Sequence, residues 1–159
     1  MQFYDVAGQK EKRQRWVPYM QSRLSAIIYV TSIASYDQRM EEDRTVNRYV
    51  DALVLFESIM QNPLLKGVQT IVMLNKVDIF EEKIKVVDFK THIHHYNGKN
   101  TSKDVIKFIS EEFKRKNQEV QRKVIVHLTT GTDIKLMKGI IKSIQYISFT
   151  QENHPKSSA

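Results

Sequence analysis

Two hydrophobic periods alternate along this chain. Near-continuous apolar runs stand at 25–31, 70–74 and 124–128, each short, rich in Ile and Val and bounded by polar residues. Such runs predict buried strands, the first covered on both faces. Residues 1–4 are apolar or β-favouring and predict another strand or the end of one. Helical spacing is plainest at Val46, Tyr49, Val50, Leu53, Val54, Phe56 and Ile59, predicting a helix from about 45 to 61 that stops at Asn62-Pro63. Thr101-Ser102-Lys103-Asp104 reads as a second helix start, with Val105, Phe108, Ile109 and Phe113 on its buried face. A last helix carries the stripe Met137, Ile140, Ile141, Ile144 and Ile147. Residues 10–22 set Trp16, Val17, Tyr19 and Met20 among basic residues, as in a short amphipathic helix that Pro18 interrupts or ends. Trp16 is either a core anchor or a partner contact. Segments 32–44 and 88–100 read as loops, the latter with a turn at Asn97-Gly98, and 114–123 as an exposed charged stretch. Strand-like and helix-like segments in alternation predict an α/β fold.

Length and composition narrow the classes. A chain of 159 residues suits one domain with a real core. The absence of cysteine excludes disulfides, thiolate metal sites and S-acylation. No apolar run reaches membrane-spanning length. The first residues resemble neither a signal peptide nor a myristoylation signal, so a cytoplasmic protein is expected. The net charge of +7 raises nucleic acid, acidic membrane or an anionic ligand as partners. The basic clusters at 10–15 and 114–123 contain interleaved Glu or Gln and read as solvated helix faces. No aromatic-plus-basic motif accompanies them, which argues against nucleic acid. His92, His94 and His95 lack the further ligands a zinc site needs and read as surface residues.

The candidate chemistry lies where strands end. The run 70–74 leads into Asn75-Lys76-Val77-Asp78, at the carboxyl end where open α/β sheets bind ligands. The Asp78 carboxylate can accept two hydrogen bonds from paired N–H donors, as on a guanine edge; adenine lacks that pair. Asn75 can brace neighbouring loops with its amide. Lys76 can lay its methylene stem over a flat base while its ammonium stays wet. A strand that simply ends in a polar turn is an equal reading of this tetrapeptide alone. Asp5-Val6-Ala7-Gly8-Gln9 follows the first predicted strand. There Gly8 would let a phosphate approach the backbone, Asp5 could hold Mg²⁺ through a water, and Gln9 could orient an attacking water. A plain turn is the competing reading. After 124–128, Thr130-Gly131-Thr132 could offer the Gly131 N–H to a carbonyl such as guanine O6, and Thr132 or Asp133 could cap the last helix.

The three sites occur in one order, each directly after a strand: Asp5-x-x-Gly8-Gln9, Asn75-Lys76-x-Asp78 and Thr130-Gly131-Thr132. In this the chain resembles the C-terminal part of heterotrimeric G-protein α subunits. The resemblance extends to Trp16, Ser35-Tyr36-Asp37, Asn47-Arg48, Leu55-Phe56-x-Ser58-Ile59 and Phe80-Glu81-Glu82-Lys83-Ile84, and weakens after about residue 145. It implies an incomplete Ras-like P-loop GTPase fold over 1–149: a doubly wound, mostly parallel sheet of about four strands with helices on both faces. A polar flexible tail would occupy 150–159. It implies a GTP/GDP-dependent switch in receptor-coupled signalling, with Asn75, Lys76, Asp78, Thr130 and Gly131 on the nucleotide and Gln9 steering the attacking water. Asp5 to Gln9 and the helix after them would form the second switch, contacting a βγ dimer in the GDP state and effectors in the GTP state. A G-protein-coupled receptor is a further implied partner. Residence at the inner face of the plasma membrane would come only through partners.

The sequence also departs from the family pattern. It contains no Gly-x-x-x-x-Gly-Lys-[Ser/Thr] phosphate loop, nor a match to the inserted helical domain, the first switch with its catalytic arginine, or the lipidated N-terminal helix. Ala7 stands where a glycine is common, Gly131 where an alanine is, and the polar end at 155–159 does not match the receptor-reading terminus. The expectation is therefore an inactive chain that binds GTP, GDP and Mg²⁺ poorly, prone to associate through open sheet edges. The alternative is a nucleotide-free interaction module that binds βγ or effector partners through residues 9–20 and 45–66.

Overall fold

A computed structural model describes residues 4–6, 15–21, 24–118 and 122–130, together with Gly139 and Lys142. The predicted strand at 1–4 therefore lies outside the described residues except for Tyr4, which carries no regular structure. The final-helix stripe also lies outside them, although Gly139 and Lys142 are helical. Three strands are described: β1 (Ala26–Ser32), β2 (Gln69–Asn75) and β3 (Val124–Thr129). They form one parallel sheet in the order β1-β2-β3. β2 is central, which is why Thr70 to Leu74 are all buried.

The helices follow from local chemistry. α1 is one turn, Val17–Met20, and Pro18 sits inside that turn. The ring neither interrupts nor ends the helix, because first-turn N–H groups have no intrahelical acceptor to lose. α2 (Arg48–Met60) starts later than its apolar spacing suggests. Asn47 stops it by accepting hydrogen bonds from the Tyr49 and Val50 N–H groups, at 2.8 and 3.3 Å. α3 (Val77–Lys83) and the short α4 (Phe89–His92) come next. α5 (Ser102–Arg115) begins after Thr101, whose hydroxyl accepts the Asp104 N–H.

The main core lies on one face of the sheet. Tyr29 and Val72, paired in register, meet Phe56 of α2 and Phe113 of α5 there. Ring centroids of Tyr29–Phe56 and Phe56–Phe113 are both 5.1 Å apart. Each such buried ring contributes about 1.5–3 kcal/mol through area, and its pairing a further ~0.5–1.5. The opposite face carries a thinner cluster, Ile71 and Met73 with Ala26 and Ile125 against it, and leaves Val30 56% exposed. Trp16 is half-buried and packs against the main core.

Two segments expected as loops belong to the core instead. In 32–44 a 3₁₀ turn, Ile33–Ser35, leads to a fully buried Tyr36. In 88–100, Phe89, Ile93 and Tyr96 are buried. The Asn100 carboxamide secures the second segment, accepting from Phe89 N–H at 3.0 Å and donating to Ile84 O at 3.1 Å. The charged stretch 114–123 also departs from the expected exposure, most clearly at Arg122. Arg122 is 2% exposed and donates to the carbonyls of Met60 (2.7 Å) and Leu65 (2.6 Å). Those carbonyls end α2 and the turn after it, where the helix leaves acceptors unsatisfied.

Candidate functional site

The sheet register places Ser32, Asn75 and Thr129 level with one another at the carboxyl ends of β1, β2 and β3. Level residues of a parallel sheet point to the same side. Among the described residues Ser32 Oγ and Thr129 Oγ1 are buried without a hydrogen-bond partner, and so is His127 Nε2 two residues before Thr129. This end of the sheet therefore holds unspent polar groups, which are costly in a plain core and point to a site.

Asn75 is half-buried at the end of β2. The chain then reverses from strand to helix through Lys76, whose backbone is left-handed at φ 61° and ψ 41°. A non-glycine residue there costs roughly 1–3 kcal/mol. Asn75 offsets part of that cost, because its Oδ1 accepts the Lys76 N–H at 2.8 Å. The expected bracing by Asn75 is thus local, made by its carbonyl oxygen, and its Nδ2 has no hydrogen bond among the described residues. α3 begins one residue later with no side-chain cap on its first turn and with Asp78 inside that turn. Asp78 and Lys76 are both exposed. Among the described residues neither charged group is engaged in an ion pair or side-chain hydrogen bond.

Thr130 follows β3 directly and is half-buried, so the register brings it to the same end as Asn75. Asp5 is exposed and not part of any strand or helix. Gly8, Gln9 and Gly131 lie outside the described residues. The structure thus brings together Asn75, Lys76, Asp78 and Thr130 of the expected set. Among the described residues no group of three His, Asp or Glu side chains could hold a metal. His95 instead pairs with Glu112 at 2.9 Å.

One structural feature beside these residues escaped the sequence reading. The Lys83 ammonium at the end of α3 donates to Ala34 O at 2.8 Å and to Asp37 Oδ1 at 2.7 Å. It also lies 5.8 Å from the centroid of the Tyr36 ring. The Tyr36 hydroxyl donates to Val87 O at 2.7 Å. Burial, and then the nearby charges of Asp37 and Asp88, push that phenol up to about 12, so it stays a donor. The segment after β1 and the helix bearing Asp78 are therefore joined by directional bonds. The only signal was Phe80-Glu81-Glu82-Lys83-Ile84, which shows a charged helix and not where Lys83 points.

Residues 1–148 match the sequence profile of the G-protein alpha subunit. Among curated proteins, the chain is 34% identical over 154 residues to a guanine nucleotide-binding protein subunit alpha of Candida albicans (strain WO-1), covering 96% of this chain and 35% of that protein. It is 33% identical over 141 residues to an alpha-3 subunit of Caenorhabditis elegans, with 89% and 40% covered. It is 33% identical over 147 residues to an alpha-6 subunit of Dictyostelium discoideum, with 92% and 42% covered. The chain spans between 35% and 42% of the length of these relatives. Among the described residues no helix is long and apolar enough to cross a membrane.

Proposed function

The chain belongs to the G-protein alpha-subunit family, and from that premise we propose that it carries the base-reading part of a GTP/GDP-dependent switch in receptor-coupled signalling. One observation carries the proposal. Asp78 is held, exposed and unengaged among the described residues, beside the left-handed Lys76 at the carboxyl end of the central strand. A free carboxylate there accepts the two N–H donors of a guanine edge and repels the adenine pattern. Asn75 Nδ2 and the Lys76 stem complete the base contact, with Thr130 beside them and the Gly131 N–H on guanine O6. Asp5, Gly8 and Gln9 are proposed to serve the phosphate end, Gln9 as the water-orienting residue and Asp5 holding Mg²⁺ through a water. The described residues offer only Asp5 toward that metal, so no step is derived through it. The GTPase unit is proposed to fill 1–149. Its proposed partners are a βγ dimer, effectors and a G-protein-coupled receptor, met in the cytoplasm or at the inner face of the plasma membrane.

The 159 residues contain no Gly-x-x-x-x-Gly-Lys-[Ser/Thr], so this polypeptide has the base contacts without that phosphate cradle. We expect roughly millimolar affinity for GDP and no measurable turnover of GTP. The test is an amide-resolved NMR titration with GDP and, separately, ADP. GDP should shift Asn75, Lys76, Asp78 and Thr130 more than ADP does, and Asp78→Ala should remove the difference. Equal shifts with the two nucleotides, or micromolar affinity, would overturn the proposal. A second reading, a nucleotide-free module for protein partners, is favoured by Tyr4 and Tyr19. Their rings meet tilted, centroids 5.0 Å apart, with the residues 47% and 38% exposed, and aromatics are enriched in interface hot spots. βγ binding that is indifferent to GDP would support it.

A further inference from the structure

We infer that Lys83 is a positioning residue for guanine selectivity, acting through α3 on Asp78; the inference rests on the base-reading role proposed above. α3 is seven residues long, a length that forms no stable helix alone. Its first turn has no side-chain cap, and its entry through Lys76 is strained. The helix that holds Asp78 therefore depends on tertiary anchors. Three are apolar: Phe80 is fully buried, Ile84 is 4% exposed and Val77 is half-buried against the same core. They lie three and four positions apart on one stripe, and burial of such a stripe is non-directional. It fixes which side of α3 faces the core but tolerates sliding and small rotation about the axis.

Lys83 supplies the direction. Its ammonium is bonded at the same time to a carbonyl and a carboxylate on the segment that leaves β1. The Lys83 and Asp37 side chains are only 20% and 23% exposed, so water competes weakly for this pair. The aromatic wall beneath is rigid, because Tyr36 packs on Phe80 at 5.8 Å and on Phe89 at 5.0 Å. The clamp thus ties the last residue of α3 to the segment that leaves β1, while Asn75 ties the residue before its start. With both ends held, the Asp78 carboxylate has a fixed bearing, which paired hydrogen bonds to a planar base require. Lys83 touches no base itself; it sets the angle at which Asp78 meets one.

The experiment uses the whole chain and the same NMR titration with GDP and ADP. Lys83→Met keeps the aliphatic stem and removes the charge, and it should lower the GDP-over-ADP ratio about tenfold, the worth of one well-aligned charge-assisted hydrogen bond. Lys83→Arg should restore most of it, since guanidinium can reach the same two acceptors. Asp37→Asn, which preserves shape, should lower the ratio in the same direction and covers the case in which Lys83→Met fails to fold. Amide shifts of β2 and α5 should stay unchanged in all three. An unaltered ratio in Lys83→Met or Asp37→Asn, or no rescue by Lys83→Arg, overturns the inference. Absence of guanine selectivity in the unmodified chain overturns the base-reading role first, which keeps the two failures distinct.

Discussion

Asn47 makes two connections at once, and their removal can be sized. Its Oδ1 caps α2 through the N–H groups of Tyr49 and Val50. Its Nδ2 donates to Tyr36 O at 2.6 Å, joining α2 to the segment after β1. The residue is 7% exposed, so water does not replace the lost bonds. Asn47→Ala should lose a cap worth about 1 kcal/mol. It should also strand the Tyr36 carbonyl, a desolvation cost of about 1–3 kcal/mol. The sum is a destabilisation of about 2–4 kcal/mol, read as a lower urea midpoint at unchanged slope. For a chain of this size that corresponds to a fall in Tm of several degrees, at roughly 2–4 °C per kcal/mol. Asn47→Ser separates the parts. Its hydroxyl keeps the cap but cannot reach the carbonyl, so it should recover about 1 kcal/mol and no more. A loss below about 1 kcal/mol for Asn47→Ala would refute this dual role, because even the cap alone accounts for that much.

Two further predictions concern buried tyrosines. Tyr36 has its hydroxyl raised from the ordinary phenol value of 10.0 to about 12, so its native state holds the proton longer than the unfolded chain does. Its contribution to stability should be complete below pH 10 and disappear as pH rises toward about 12. Denaturation midpoints measured across that window should fall in the unmodified chain and fall less in Tyr36→Phe; parallel curves would contradict this. Tyr49 is also buried, and its pKa is raised first by that burial and then by Glu112, yet among the described residues its hydroxyl has no hydrogen-bond partner. Tyr49→Phe should therefore be neutral or slightly stabilising in urea unfolding, within about 0.5 kcal/mol. A loss above about 1 kcal/mol would reveal a partner that the hydroxyl relies on.

What the amino-acid sequence settled alone is what short-range pattern can encode. Strand runs such as 70–74 and 124–128, the apolar stripe of α2 and the Thr101 start of α5 follow from neighbours within a few positions, and the structure has them close to where they were read. The place of Asn75-Lys76-Val77-Asp78, at the end of a strand, was legible for the same reason. The tertiary structure alone decided the rest. Segment 88–100 reads as a loop, yet Phe89, Ile93 and Tyr96 are buried in the core, secured by Asn100. Arg122 stands in a charged run but is buried against carbonyls some sixty positions earlier, 62 residues to Met60 and 57 to Leu65. Lys83 finds Asp37 at a separation of 46 residues. In each case the deciding partner is remote along the chain, and the energy comes from desolvated, directional bonds that no local period records. Pattern could nominate Asp78 as the base reader; only the fold shows that its helix is clamped at the far end.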